Sequence, residues 1–258
     1  VMQGYGKSPK LFESMHRLTK KPVVLWHAEV MSPSWPTDDD VVLAKAEQLK
    51  LIVGSFDAVG HNCHCCLSTI EALGGKNVFW APNNGVDSRV HRRIDSIKKK
   101  YSIGAYGYLS PRRVELLRWL YSEGIKVEYR LPEDKCFGEE LIRFINSCFC
   151  VINFHFSETK NTESRTYEVL GCGVPLLSEP LSMPEIFPFT ECGIGTFHDT
   201  DSLLELSKNI VRLTNENPSY LEKIGSDAMR FVHSNYSYVQ RCKFFLEQVS
   251  ERFPCKIS

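Results

Sequence analysis

The sequence predicts an α/β protein of two units, each a parallel sheet covered by helices on both faces. Three observations carry that reading. Short apolar runs alternate with amphipathic helical stretches along most of the chain, which is the order left by parallel strands joined through helical crossovers. The series is interrupted once, by a polar and basic stretch at 82–100. The 258 residues, 43% hydrophobic and 24% charged, suit one large domain or two small ones with real cores.

Taken in order, residues 8–20 open on Ser8-Pro9 and carry Leu11, Phe12, Met15 and Leu18 at helical spacing. Val23–Trp26 reads as a buried strand, and 27–40, with two prolines and Asp38-Asp39-Asp40, as a loop. Residues 41–48 read as a helix and 50–54 as a second buried strand. A helix over 62–74 ends at Gly74-Gly75, a C-cap signal, and 77–81 is a third strand. Pro82–Asp87 has loop chemistry, and the arginines and lysines of 88–100 form a solvated connector. A strand then runs from Ser102 to Gly107. Ser110 caps a helix with Pro111 at its first position, which stops near Gly124. Strand 126–129, helix 138–147, strand 148–154, helix 163–171 and strand 174–178 follow. Helices over 202–214, 218–235 and 237–249 close the chain. The pattern predicts two Rossmann-like domains: 1–95, 96–235, and a C-terminal helix and tail at 236–258 that packs back on the first domain. The first shows only about three strands, where a full Rossmann half needs more. The chain also opens on Val1 within a pattern, so the expectation is a first domain that is short or truncated.

Composition narrows the function classes. Lys plus Arg equals Asp plus Glu at 31 each, so no overall field points to nucleic acid. No apolar run approaches the roughly 20 residues of a membrane helix, and no signal peptide is evident. Ten cysteines in a chain of this size, several within apolar segments such as Cys148 and Cys150, read as reduced thiols in a cytoplasmic protein. His61-Asn62-Cys63-His64-Cys65-Cys66 has the look of a metal cluster. Zinc ligands usually come in pairs from two separated segments, and no second pair is evident, so a helix turn bearing small thiols is the expectation. Asp38-Asp39-Asp40 reads as an acidic helix N-terminus.

Ligands of open parallel sheets bind beyond the carboxyl ends of the strands, where helix N-termini attract phosphate. Two stretches of the second domain meet that condition. Gly104-Ala105-Tyr106-Gly107 leads into Ser110-Pro111-Arg112-Arg113, a glycine turn followed by two arginines in a helical first turn. That is either a phosphate site or a plain turn with exposed arginines. The other runs from Val151-Ile152-Asn153-Phe154-His155-Phe156 through a polar loop to Arg165-Thr166-Tyr167-Glu168, then Gly171-Cys172-Gly173-Val174-Pro175 and a strand ending at Glu179. Glu168 stands among apolar neighbours on a short helix, where a carboxylate needs a partner. A ribose diol is one such partner; Arg165, three residues earlier, is another.

Residues 161–179 resemble the donor-binding signature of group 1 glycosyltransferases of the GT-B fold, and the Arg165-x-x-Glu168 form is most similar to the CgeB-like subgroup. Pro82–Asp87 and Gly193–Leu203 resemble two further passages of that fold, so the resemblance covers roughly 50–245. It implies a metal-independent transferase, without a cofactor, that moves a sugar from a nucleotide-diphosphate sugar to a glycan, protein or lipid acceptor. Glu168 would bind the donor ribose. Residues Asn161, Thr162, Glu163, Ser164 and Arg165, with the Gly107 turn, would face the diphosphate, and Arg112 or Arg113 would neutralise it. His27 resembles a first-domain residue facing the reacting sugar; the other reading is a satisfied loop histidine. Many retaining members carry a Glu eight residues before the ribose one. This chain has Lys160 there, so its catalytic residue is left open, with Lys160 able to stabilise the leaving diphosphate. A sugar-nucleotide epimerase, or a binding protein with a degenerate site, are the competing readings.

Overall fold

The structure is a computed structural model that describes residues 14–15, 17–19, 21–28, 40–134, 136–155, 163–181 and 193–254. In chain order its elements are β1 (Val24–His27), α1 (Asp40–Val53), β2 (Ala58–His61), α2 (Leu67–Ala72), β3 (Val78–Trp80), β4 (Tyr101–Tyr106), α3 (Pro111–Ser122), β5 (Glu128–Arg130), α4 (Gly138–Asn146), β6 (Cys148–Asn153), α5 (Ser164–Gly171), β7 (Leu176–Ser178), β8 (Ile194–Thr196), α6 (Thr200–Glu216), α7 (Pro218–Asn235) and α8 (Tyr238–Arg252). Single 3₁₀ turns occupy His64–Cys66 and Pro132–Asp134. Two compact units result: Val1–Asn83 with Val239–Ser258, and Asn84–Tyr238.

In the first unit β1, β2 and β3 make a parallel sheet in that order. The register sets His27 beside His61, and His61 beside Trp80, at the carboxyl edge. Alternation along β1 and β2 sends Leu25 and Val59 to one face, where Ala46, Leu49, Ile52 and Val53 of α1 and Ile70 of α2 cover them. Trp26, Ala58 and Phe79 face the other way, onto Phe245 and Val249 of α8. The Trp26 and Phe245 rings stack at 4.4 Å.

Two expectations need correction here. Residues 50–54 are not a strand. Leu49, Ile52 and Val53 lie on the buried stripe of α1, and the second strand is Ala58–His61. A run of three or four apolar residues carries too little periodicity to separate a helix from a buried strand, and Gly60 and His61 disguise the true one. The domain boundary also moves, from 95 to 83, and the tail joins the first unit from Val239 rather than 236. The stretch 84–100 is no free connector. Val86 pairs with Ser237, His91 is buried, Ile94 N–H donates to Asn146 Oδ1 at 2.8 Å, and Lys99 Nζ donates to the Cys148 carbonyl at 2.7 Å.

The second unit holds a five-stranded parallel sheet, ordered β5-β4-β6-β7-β8. Strand order reverses between β4 and β6, and that switch point opens a crevice at their carboxyl ends. Ile103 of β4 and Cys150 and Ile152 of β6 pack into one core layer with Leu120 of α3 and Leu203 of α6. Tyr106 and Val151 lie in the other layer, with Val169 and Leu170 of α5 and Ala228 and Val232 of α7. Ser110 Oγ accepts from Arg113 N–H to cap α3, and Asp199 with Ser202 forms a capping box on α6.

The Gly171-Cys172-Gly173 turn is shaped by packing. Gly173 has φ +73°, and a Cβ on Gly225 of α7 would stand 2.0 Å from the Gly173 carbonyl oxygen. Helix and turn therefore touch backbone to backbone. We predict that Gly225→Ala lowers stability by about 2–3 kcal/mol or more. Gly54→Ala, whose added Cβ would meet nothing nearer than 3.8 Å, should cost far less. Denaturant midpoints of the two variants check this.

Candidate active site

The crevice between β4 and β6 is lined by residues that the sheet's alternation delivers to one face. Gly104 pairs with Val151; two residues further on, Tyr106 and Asn153 share that face, which is the face covered by α5. Arg165, in the first turn of α5, comes down between them. Its guanidinium lies 4.8 Å from the centre of the Tyr106 ring, donates to Asn153 Oδ1 and reaches Glu163 Oε2 at 3.2 Å. Asn153 is held in turn by Ser178 Oγ at 3.1 Å. A buried guanidinium must have such partners, because losing water costs several kcal/mol. It also explains Gly107. With φ +114°, a Cβ there would lie 2.7 Å from Arg165 Nη2.

Tyr106 links this cluster to the carboxylate singled out in the sequence. Its hydroxyl donates to Glu168 Oε2 at 2.7 Å. Burial, and then the Glu168 charge, hold the Tyr106 hydroxyl protonated well above its usual range, which fixes it as donor. Glu168 is half-exposed, and it is not paired with Arg165, whose partners are Asn153 and Glu163.

Glu163 is the N-cap residue of α5, yet its side chain makes no capping hydrogen bond. It turns instead to Arg165 and to His155 Nδ1, 3.6 Å away. Burial pushes the Glu163 carboxyl up, but the adjacent His155 ring and the charges of Arg165 and Arg113 outweigh it and leave it below the usual range. Glu163 thus gives the helix N-terminus no side-chain cap, and Ser164, its first residue, is exposed.

The two arginines after the Gly107 turn differ sharply. Arg113 is buried; its Nε and Nη2 donate to the Phe154 carbonyl at 3.0 and 2.5 Å, and its Nη1 to that of Tyr108 at 2.8 Å. It ties the loop after β4 to the end of β6. Arg112 is 45% exposed and forms a forked ion pair with Glu179. Glu179 also accepts from His155 N–H at 2.6 Å. Tyr106, Asn153, His155 and Glu179 were not singled out in the sequence. A signal was present: Asn153 and His155 are polar residues at the end of an otherwise apolar strand. Lys160, Asn161 and Thr162 lie outside the described residues.

His27 belongs to the first unit. It is buried, and its Nδ1 lies 3.1 Å from His61 Nδ1. Burial, then Lys45, lowers its pKa from 6.5 to about 4, so the ring is neutral near pH 7. The linkage follows from that depression. Stability is full above the unfolded value of 6.5 and is lost as pH falls toward 4, because only the unfolded chain takes up the proton. We predict that His27→Gln flattens the pH dependence of unfolding between 6.5 and 4, by up to roughly 3 kcal/mol at the lower end. An unchanged slope would mean that His27 protonates freely in the folded state.

A family model described as glycosyl transferase-like matches residues 94–247, more than half of the chain. No curated protein sequence matches significantly. Among solved structures, HepE from Anabaena, in complex with UDP and glucose, superposes with a TM-score of 0.63 at 14% identity, covering 94% of this chain and 76% of HepE. Sucrose-phosphate synthase from Thermosynechococcus elongatus gives 0.62 at 11%, covering 95% and 77%. A glycosyltransferase from Rickettsia africae gives 0.59 at 9%, covering 97% and 83%. These likenesses show the fold, GT-B with two Rossmann-like units, the first having the smaller sheet among the described residues. The chain therefore belongs to the glycosyl transferase-like family.

Proposed function

We propose that the donor is a nucleotide-diphosphate sugar bound in the crevice between β4 and β6, and that transfer needs no metal ion. The observation that carries this reading is the setting of Glu168. It is a half-exposed carboxylate beside the switch point, with one oxygen held by Tyr106. Tyr106 uses up only part of its capacity to accept, which leaves room for the two hydroxyls of a ribose. The N-terminus of α5, left uncapped by Glu163, offers N–H groups and a positive dipole end to the diphosphate. With that charge neutralised by N–H groups and guanidinium, a cation is not required at the leaving group. Lys160, Asn161 and Thr162 precede the helix and fit the same role. Arg112 suits the phosphate better than Arg113. Its ion pair with Glu179 is exposed and can exchange partners, whereas Arg113 is committed to main-chain carbonyls. The Arg165-x-x-Glu168 spacing supports the CgeB-like subgroup in particular, and the reduced thiols suit a cytoplasmic enzyme. That HepE was solved with UDP and glucose makes a uridine donor the first to try.

Thermal shift against UDP, GDP, ADP, CMP and dTDP, with and without magnesium, tests the reading. One diphosphate should raise the midpoint equally in both conditions. Glu168→Ala should weaken that ligand about a hundredfold, the cost of two charge-assisted hydrogen bonds, while the free protein still unfolds cooperatively at a midpoint lowered by the loss of the Tyr106 hydroxyl's acceptor. Full affinity in that variant would remove Glu168 from the site, and a shift seen only with magnesium would sink the metal-free claim.

The two arginines should separate. Arg112→Ala is expected to weaken the diphosphate about tenfold and the bare nucleoside hardly at all. Arg113→Ala should instead lower stability by about 2 kcal/mol or more, since it strips buried carbonyls of their donors. Isothermal titration and chemical denaturation of both variants distinguish these outcomes.

A further inference from the structure

The turn after β2 gathers three sulfur atoms at the carboxyl edge of the first sheet. Cys63 Sγ lies 2.9 Å from Cys65 Sγ, which lies 3.8 Å from Cys66 Sγ, and all three fall within 4.8 Å of one another. The backbone explains the grouping. Cys63 leads into the 3₁₀ turn His64–Cys66, and Cys66 N–H donates to the Cys63 carbonyl at 3.2 Å. Three residues per turn bring positions i and i+3 to the same side, so Cys63 and Cys66 converge, with Cys65 closing the triangle.

All three lie in or against the apolar layer beneath α1 and α2, Cys65 at its half-buried margin. Cys63 and Cys66 are buried in the layer beneath α1 and α2. Cys65 is half-exposed, yet its sulfur is turned onto the other two. A tetrahedral zinc ion with Zn–S bonds of about 2.3 Å sets its sulfurs about 3.8 Å apart. The Cys65–Cys66 edge already has that length, and the Cys63–Cys65 edge needs to open by less than about 1 Å, within the reach of one side-chain rotation. The turn begins two residues after a candidate fourth ligand. His61, two residues before Cys63 at the end of β2, is buried with its Nε2 lacking a hydrogen-bond partner among the described residues, while its Nδ1 faces the His27 ring and carbonyl. An imidazole whose other nitrogen is engaged by protein is the usual arrangement for a metal ligand.

We propose that Cys63, Cys65 and Cys66 form a binding site for a thiophilic cation, Zn²⁺, with the fourth position taken by His61 or water. The site is independent of the donor crevice. Its ligands are soft sulfur and imidazole rather than the carboxylates and phosphate oxygens that hold magnesium. Bound there, the ion joins the end of β2 to the start of α2 and stiffens the first unit.

Cobalt is the probe, since it reports its ligands by absorption. The full chain, reduced and freed of metal, is titrated with Co²⁺. The expected result is one ion per chain, with a thiolate-to-cobalt charge-transfer band and the strong d–d bands of a four-coordinate site, both displaced by Zn²⁺. Cys65→Ser, at a half-exposed position, should fold normally by circular dichroism and weaken binding at least tenfold. Cys242→Ser, at an exposed cysteine outside the cluster, should leave it unchanged. Zn²⁺ should also raise the unfolding midpoint of the unaltered chain and not that of Cys65→Ser. Absence of the thiolate band in the reduced chain would overturn the proposal. So would a band of full strength in Cys65→Ser, or a chain that binds Co²⁺ without one.

Discussion

The crevice of the second unit is organised around the buried guanidinium of Arg165. Arg165 sits in the first turn of α5 with its guanidinium over the Tyr106 ring, hydrogen-bonded to Asn153 and Glu163. Water cannot solvate it there, so protein must. Meeting that demand fixes one residue from each neighbouring element: an aromatic ring from β4, an amide from β6, and a carboxylate at the start of α5. It also excludes a side chain at position 107. The consequence reaches Glu168 one turn along the helix. With Arg165 committed to Asn153 and Glu163, the Glu168 carboxylate is left to the Tyr106 hydroxyl. The cation thus prevents the simplest internal ion pair of α5 and keeps a carboxylate available at the crevice.

Much of this was legible because it follows from periodicity. The alternation of apolar strands and helices located both sheets, and Ser110-Pro111 located the start of α3 to the residue. Glu168 stood out as a carboxylate among apolar neighbours. What escaped were facts that depend on register between distant strands. Nothing local says that Tyr106 and Asn153 share a face, because that follows only from the pairing of Gly104 with Val151. The contrast between Arg112 and Arg113 is also invisible in sequence. Adjacent residues on a helix point about 100° apart, and which of them meets the sheet depends on how the helix docks. The misplaced second strand has a different cause. In β2 the functional His61 and the close-packed Gly60 replace the branched apolar residues that announce a strand.

The glycines at 107, 173 and 225 divide in the same way between chemistry and packing. Gly107 yields to a side chain of the site. Gly173 and Gly225 yield to each other, so that α7 can lie on the turn before β7. A signature of the Gly-x-Gly-x-Pro kind therefore records how the helices close over the sheet, while the ligand chemistry resides in the residues before it.

Both sheets are parallel, so each directs every strand-to-helix turn to its carboxyl edge. What a turn attracts is then a matter of its donors alone. After β4 and β6 the turns carry main-chain N–H groups and guanidinium, which suit an anion. After β2 the turn carries three sulfurs beside a buried imidazole nitrogen, which suit a soft cation and bind phosphate poorly. These preferences are chemically opposed, so the metal proposed for the cysteine turn and the metal-free transfer proposed for the donor crevice do not conflict. A hard ion serving the diphosphate would need oxygen ligands. Of the described carboxylates at that crevice, Glu163 is engaged with Arg165 and His155 and Glu179 with Arg112 and the His155 N–H, and the capacity that Glu168 keeps beside Tyr106 is the part the proposal gives to the ribose.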